Sequence, residues 1–499
     1  MSDPFPTEIW LHLSQFLPSD SLQGMMEVNR IFFEMAMDAR YKEISFMSFN
    51  PSEAKMLERL ADPLIACRVR RLHLRLSLNR ALFRRQPRTT PGIFRRRVKA
   101  ALQTARLIRP DTTDNSAESS NVDSKIRTLT SFQDFYETLA IVFPGMSNLE
   151  EFTFNSWNWP TDFDIQPFFL AAWSTFGKSI RKLSLGGNLD GYRKLIVSGP
   201  SFDTLQELEL EFTDNLHGSN SITDARILLE SVAPFVTSLA TRLISLKLWS
   251  WSSTDLSSFF KQLGPLPALR HLGIRAAFNR SLNDDPSGLA RLLSDSSSTL
   301  QQLELRLDLA GLVNQSSEHP LAEWLSQTIV DHPTISTGLQ TLEIYPTGTT
   351  RGFETLLICI QRSVSTLTKL VVRNRYLQLG ETETIIRLIS SHKNTTLTRL
   401  RLNVLILNAD LFDLMGASLP GLKYLTLNIG DVADGDLIDR HQIFKSSIRS
   451  RSFQDWKLYD IDIWQGGSQL DGSVMLSIAE SIPSIRSFWG KGHIGIQQE

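Results

Sequence analysis

The residue patterns in this chain that could carry catalysis each lack a part. Gly177-Lys178-Ser179 matches the end of a phosphate-binding loop, whose backbone N–H groups cradle a nucleotide. That loop needs a glycine five residues earlier, and position 172 is Ala. None of the nine histidines pairs at i, i+4 around a Glu, as a metalloprotease helix requires. Two cysteines, Cys67 and Cys359, are too few for a structural zinc site. No Gly-x-Ser-x-Gly nucleophile elbow is present. The reading is therefore of a chain that is no enzyme by itself and has no cofactor and no metal.

The chemistry that remains is recognition, carried by charges and rings at repeating positions. The pattern apolar-x-x-apolar-x-apolar recurs as VRRLHL from Val69, LEEFTF from Leu149, IRKLSL from Ile180 and LQELEL from Leu205. LISLKL from Leu243, LRHLGI from Leu269, LQQLEL from Leu300 and LQTLEI from Leu339 follow. LTKLVV from Leu367, LTRLRL from Leu397, LKYLTL from Leu422, FQDWKL from Phe453 and a degenerate IRSFWG from Ile485 complete the series. From Leu149 onward each step is 25 to 39 residues. One hexamer is weak; an unbroken run at this spacing marks a repeat array. The polar positions beside its apolar ones then carry the candidate target-binding residues. Glu207, Glu209 and Glu211 would form an acidic ridge, and Lys369, Arg373, Arg399 and Arg401 a basic one. Trp249, Tyr345 and Tyr459 each follow a hexamer directly and would serve as aromatic anchors.

The elements that must position them follow from periodicity. The last apolar positions of each hexamer alternate with polar ones, the period of a half-buried strand. Between hexamers lie helical patterns, as in DARILLESV from Asp224, GLARLLSD from Gly288 and FETLLICIQRSV from Phe353, then TETIIRLISSH from Thr382 and ADLFDLMGA from Ala409. A strand-then-helix unit cannot bury its apolar face alone, so units stack, strands parallel on one side and helices on the other. This resembles the long strand-plus-helix form of the leucine-rich repeat. The resemblance implies an α/β solenoid over 69–489, with parallel strands on the concave face and helices on the convex one. The Asn or Cys that usually follows the strand in that family is mostly missing.

The N-terminal stretch is different. In FPTEIWLHLSQFLP, Ile9, Leu13, Phe16 and Leu17 share a helical face with Trp10 at its edge, and Pro18 stops the helix. Ser19 caps a second helix through Val28. A third, from about Asn29 to Glu43, has Ile31, Phe32, Met35 and Ala39 along a stripe. Seven of ten methionines fall in the first 56 residues, a composition suited to adaptable interfaces. About 40 residues have too little interior for this much apolar surface, so the module either docks on the repeats or meets a partner. Asn50, Pro51 and Glu53 then start a linking helix, with Met56, Leu57 and Leu60 inward.

Phe5-Pro6-x-Glu8-Ile9, then Leu17-Pro18, Leu22 and Val28-Asn29-Arg30-x-Phe32 resemble the F-box, with Phe5 where that family has Leu. The resemblance implies a three-helix module that binds the Skp adaptor of a Skp–cullin–F-box ubiquitin ligase. Carried over by position, Pro6, Ile9, Leu17, Pro18, Leu22 and Val28 are the adaptor contacts. The implied layout is an F-box at 1–48, a linker helix at 49–68, the solenoid with an insertion at about 80–128, and a tail at 490–499. The implied function is substrate recognition, with the adaptor, the cullin scaffold and an unknown protein substrate as partners.

Bulk properties bound the alternatives. The net charge is −1, so no global field draws nucleic acid or an acidic membrane. Two distant cysteines suit the reducing cytoplasm or nucleus. The start of the chain does not resemble a signal peptide, and no apolar run approaches the roughly 20 residues of a membrane helix. Residues 68–109 hold 14 Lys or Arg and no Asp or Glu. They suggest a basic helix around 94–108 and, as a competing reading, a nuclear or nucleic-acid-associated role. Asp111 to Ser124 reads as an acidic, low-complexity loop. A ligase-independent scaffold is the other competing reading.

Overall fold

In the computed structural model the described residues are 7–14, 16–17, 19–47, 51–75, 132–156, 165–196, 201–213, 221–251, 255–278, 282, 285–307, 320–345, 347–392, 395–432 and 440–490. Phe5, Pro6, Pro18, Asn50 and the expected basic helix and acidic loop lie outside them. The chain divides into two compact units, Met1–Leu205 and Gln206–Glu499.

The first unit opens with α1 (Thr7–Ser14), α2 (Ser19–Gly24) and α3 (Arg30–Tyr41). Asn29 caps α3, its side chain accepting from the Phe32 N–H at 2.9 Å. Leu22, Phe32 and Ala36 form a small core, with Trp10, Leu17, Met25, Met26 and Met35 packed against it. The Trp10 ring meets Phe32 edge-on at 5.3 Å. The expected α3 stripe was rotated: Phe32, Ala36, Met37 and Tyr41 are buried, whereas Ala39 is exposed. The second helix also ends at Gly24, short of Val28.

After one residue α3 gives way to β1 (Glu43–Phe46), which pairs in parallel with β2 (Arg71–Leu74). The repeat thus starts inside the stretch assigned to the N-terminal module. Tyr41-x-x-Ile44-x-Phe46 is an unrecognised hexamer, with a buried Tyr at its first position. Between β1 and β2 lie α4 (Pro51–Leu60) and α5 (Pro63–Ala66). Leu57 and Leu60 are buried as expected, and the Glu53 carboxylate accepts from the Met47 N–H at 2.9 Å. β3 (Glu151–Ser156) and β4 (Lys182–Gly187) extend the parallel set, β2 on β3 and β3 on β4. Their interior is aromatic: Phe152 and Phe154 of β3 meet Phe168, Phe169, Trp173 and Phe176 of the helix Gln166–Phe176. Gly177-Lys178-Ser179 follows that helix's C-terminus, where carbonyls rather than N–H groups are unsatisfied. This is the wrong end of a helix for an anion.

In the second unit nine strands run in order and in parallel. They are β5 (Glu207–Phe212), β6 (Ser245–Ser250), β7 (His271–Ala276), β8 (Gln302–Leu307), β9 (Thr341–Glu343), β10 (Lys369–Leu377), β11 (Arg399–Leu407), β12 (Tyr424–Val432) and β13 (Asp460–Gln465). All five helices expected between hexamers are present, the first continuing through a π-turn at Leu228–Val232. In register, Leu208, Leu246, Leu272, Leu303, Leu342, Leu370, Leu400, Leu425 and Ile461 form one row across the strands. Each is at most 2% exposed, and each such burial contributes about 1.5–3 kcal/mol.

That register corrects one hexamer. Ile461 and Ile463 pair with Leu425 and Leu427, so the last full copy is LYDIDI from Leu458, not FQDWKL from Phe453. Both segments fit the pattern because Trp456 and Leu458 are buried too. β13 ends the set. At its start it pairs with β15 (Ser487–Phe488), and at its end it turns through Gly466 and Gly467 into β14 (Ser468–Gln469). Both glycines have positive φ, 56° and 85°, as a two-residue hairpin turn needs.

A ladder of hydroxyls ties repeats to the ones before them. Ser179, Thr204, Thr299, Thr366, Thr396 and Ser484 each immediately precede a hexamer. Each donates to the carbonyl of the first hexamer residue one repeat earlier: Leu149, Ile180, Leu269, Leu339, Leu367 and Leu458, at 2.7–3.1 Å. These carbonyls lie just before the strands, where the sheet ladder does not reach them.

Candidate functional site

Polar side chains alternate with the buried row, and neighbouring strands bring them together at a spacing of about 4.8 Å. In the first unit Arg71 lies beside Glu43 and Glu151, with His73 next along β2. Arg68 bridges Glu34 and Asp38 of α3, and Arg70 pairs with Glu150. The first arginines of the basic stretch are thus held in ion pairs within the unit.

On β5 the three glutamates have different fates. Glu207 is exposed and Glu209 half-buried beside Lys247. Glu211 is buried and accepts from Trp251 Nε1 at 2.7 Å. The Arg275 guanidinium lies 4.4 Å from the centre of the Trp251 ring and 5.9 Å from that of Trp249. Trp249 is therefore half-buried within a stack rather than standing alone.

From β8 to β13 the same face carries a dense charged cluster. Glu343, 3% exposed, is clamped from both neighbouring strands, by Arg306 Nε at 3.0 Å and Arg373 Nε at 2.7 Å. Burial pushes the Glu343 carboxyl up, with Arg373 and Arg306 opposing it. Burial likewise lowers Arg373. Arg306 also holds Glu304 at 2.9 Å, and Lys369 reaches Glu304 at 3.9 Å. Arg373, expected as part of a basic ridge, is thus largely neutralised.

Arg399 and Arg401 are the exception. Lys369 pairs in register with Arg399, and Val371 with Arg401. Arg399 lies over the Tyr424 ring at 4.7 Å, and Tyr424 meets Tyr459 edge-on at 6.3 Å. Neither arginine has an ion pair among the described residues. Arg401 Nε is buried and donates to nothing, and Asp462 Oδ1 is buried and accepts nothing. A buried polar atom left in this state costs about 1–3 kcal/mol. Burial raises the Asp462 carboxyl, with Trp464 and Arg401 pulling it down. Past this pair, Asn428 Nδ2 donates to Asn403 Oδ1 at 2.8 Å, and Asn403 Nδ2 to the Arg373 carbonyl.

The aromatic expectations divide. Tyr345 is buried, stacked on Phe278 at 5.6 Å, and burial raises its hydroxyl. Its side chain is core. Tyr459 is 47% exposed but precedes β13. The residue at the Trp249-equivalent position of β13 is Trp464, paired with Asn428. Starting the hexamer five residues early, at Phe453 instead of Leu458, hid it. The Ile461-x-Ile463 alternation was the signal.

The module's predicted contacts divide as well. Ile9 is 42% and Val28 61% exposed, alongside Leu13 and Phe16 at 47% and 73%. Leu17 is partly buried against the core and Leu22 lies inside it. Pro6 and Pro18 are outside the described residues.

No family model matches the chain, and no curated protein matches it. Among solved structures, one similar chain is in the "Crystal structure of Rad7 and Elc1 complex in yeast". It has 13% identity, covers 69% of this chain and 96% of that one, and gives a TM-score of 0.32. Likeness at that level bears on neither function nor partner.

Proposed function

We propose that the chain is the substrate-recognition subunit of a Skp–cullin–F-box ubiquitin ligase. The observation that carries this is the surplus of the N-terminal helices. They fill a core with Trp10, Leu17, Leu22, Phe32 and Ala36 and still leave Ile9, Leu13, Phe16 and Val28 in water. An apolar surplus of this kind on so small a module marks a surface that a second protein covers. In this reading the Skp adaptor covers it and the cullin scaffold follows. The strand face binds the target, and the chain supplies orientation and effective concentration while its partners supply the transfer chemistry. The assembly would work in the cytoplasm or nucleus, where both cysteines stay reduced.

The test is co-purification of the full chain with the Skp adaptor. Ile9→Asp with Val28→Asp should abolish capture while the circular dichroism spectrum and melting midpoint stay those of the parent. Adaptor capture unaffected by both changes would sink the assignment and favour a ligase-independent scaffold.

A further inference from the structure

Resting on the reading of the strand face as the target surface, we infer that β10–β13 take an extended, acidic peptide segment. Its carboxylate is held by Arg399 and Arg401, and an apolar side chain about four residues along rests on Leu405. Three observations lead here.

The first is charge. On this face β8 to β13 present five cations, Arg306, Lys369, Arg373, Arg399 and Arg401, against four carboxylates, Glu304, Glu343, Asp460 and Asp462. The carboxylates of Glu304 and Glu343 engage Arg306, Lys369 and Arg373. Asp460 Oδ1 accepts from the Gly490 N–H. Across the whole face one positive charge is left over: three cations share Glu304 and Glu343, and Arg399 and Arg401 stand against Asp460 and Asp462 with no ion pair to either. A single carboxylate held by the two unpaired guanidinium groups balances it.

The second is the apolar end. Alternation along β11 puts Leu405 on the face of Arg399, Arg401 and Asn403, and it is 44% exposed. On β12 the adjacent Gly430 has no side chain to cover it. A Cβ there would come 2.7 Å from the Leu405 carbonyl oxygen and 3.5 Å from its Cδ1. The third is the ground between the two ends. Asn403, Asn428 and half-exposed Trp464 form a cross-strand row of amides and one ring. Such a row suits a peptide backbone crossing it. Arg401 and Leu405 are four residues apart on one strand, about 13 Å, the span of four residues of extended peptide.

The experiment pans a library of random peptides displayed on phage against the intact full-length chain. Enriched peptides are then synthesised and titrated by fluorescence anisotropy. The expected peptides carry Asp or Glu followed or preceded, three to five residues away, by a large apolar residue. Their affinity should fall about tenfold or more in Arg399→Glu/Arg401→Glu and in Leu405→Asp, and weaken as salt is raised. Lys in place of the acidic residue should restore binding to the charge-reversed chain. Arg399→Gln/Arg401→Gln, which removes charge with little change of size, should weaken binding while the melting midpoint holds. No enrichment, enrichment of peptides without an acid, or affinity indifferent to both arginine variants would overturn the inference. It fails separately from the ligase reading. A chain that selects acidic peptides but captures no adaptor keeps this site and loses that assignment. A chain that captures adaptor but selects no acidic peptide loses this site.

Discussion

Leu22 and Ile9 belong to the same small module, and changing them should have opposite consequences. Leu22 is 8% exposed among Phe32 and Ala36, so Leu22→Ala leaves a cavity. It should cost about 2–4 kcal/mol in denaturant unfolding of the first unit. Ile9→Asp should leave that stability within about 0.5 kcal/mol, because the side chain is already in water. The sequence marks both as apolar at helical spacing, and spacing alone cannot say which flank of a helix meets α3 and which meets solvent. The same limit rotated the α3 stripe. A residue-scale pH effect follows from His73 and His271. Burial lowers both, opposed by Glu43 and Glu151 at the first and by Glu207 and Glu304 at the second. An unfolded histidine takes up its proton near pH 6.5. The folded chain resists protonation until lower pH, so stability is fully present above about pH 6.5 and declines as pH falls towards the lowered values. His73→Gln and His271→Gln should each flatten the fall in melting midpoint between about pH 7 and 5.5. Both rings are partly exposed, so each effect is a fraction of what full burial would give. An unchanged slope would mean that the carboxylates offset burial.

At the scale of elements, the hexamer pattern was sufficient to find the strands and the five intervening helices, because burial on one face imposes both periods. It was insufficient where two frames fit, as between Trp456-x-Leu458 and Ile461-x-Ile463. It was also blind to the copy starting at Tyr41, whose first residue is aromatic. The hydroxyl ladder was legible yet unread: Ser or Thr directly precedes six of the hexamers. Its weight can be measured. Thr366 and Thr396 each donate to the preceding repeat's Leu339 and Leu367 carbonyls at 2.9 Å and cap no other carbonyl outside their own turn. Thr366→Val and Thr396→Val keep side-chain volume and remove the donor. Each should lower stability by about 1–2 kcal/mol, read as a shift of the urea midpoint at constant slope. Replacing either Thr with Ser should recover most of the loss. Full stability in both valine variants would mean that water serves these carbonyls as well as the hydroxyls do.

A stacked array raises a problem that no single repeat solves, which is how the last strand's edge is closed. In the second unit β13 has its outer edge covered twice, by Ser487–Phe488 opposite Asp460–Ile461 and by Ser468–Gln469 opposite Trp464–Gln465. The helix Gly472–Ser481 lies between these segments, with Val474, Met475 and Ile478 fully buried. The repeat pattern foretold only a fading final copy here, because a cap is a departure from the repeat and leaves no period to read. Nearest-neighbour energetics then make a spatially graded prediction. A chain ending at Gln465 loses both covering strands and the helix, exposing an unpaired edge and the apolar row beneath it. Amide hydrogen exchange should accelerate by an order of magnitude or more in β12 and β13, where the lost contacts were. It should change little in β6 to β8, whose neighbours are intact. The truncated chain should also self-associate, since an open parallel edge pairs with any strand offered to it. Uniform acceleration from β5 to β13 would contradict this, showing that the unit melts as one cooperative block. Unchanged exchange in β13 would show that its own contacts with β12 hold it without a cap.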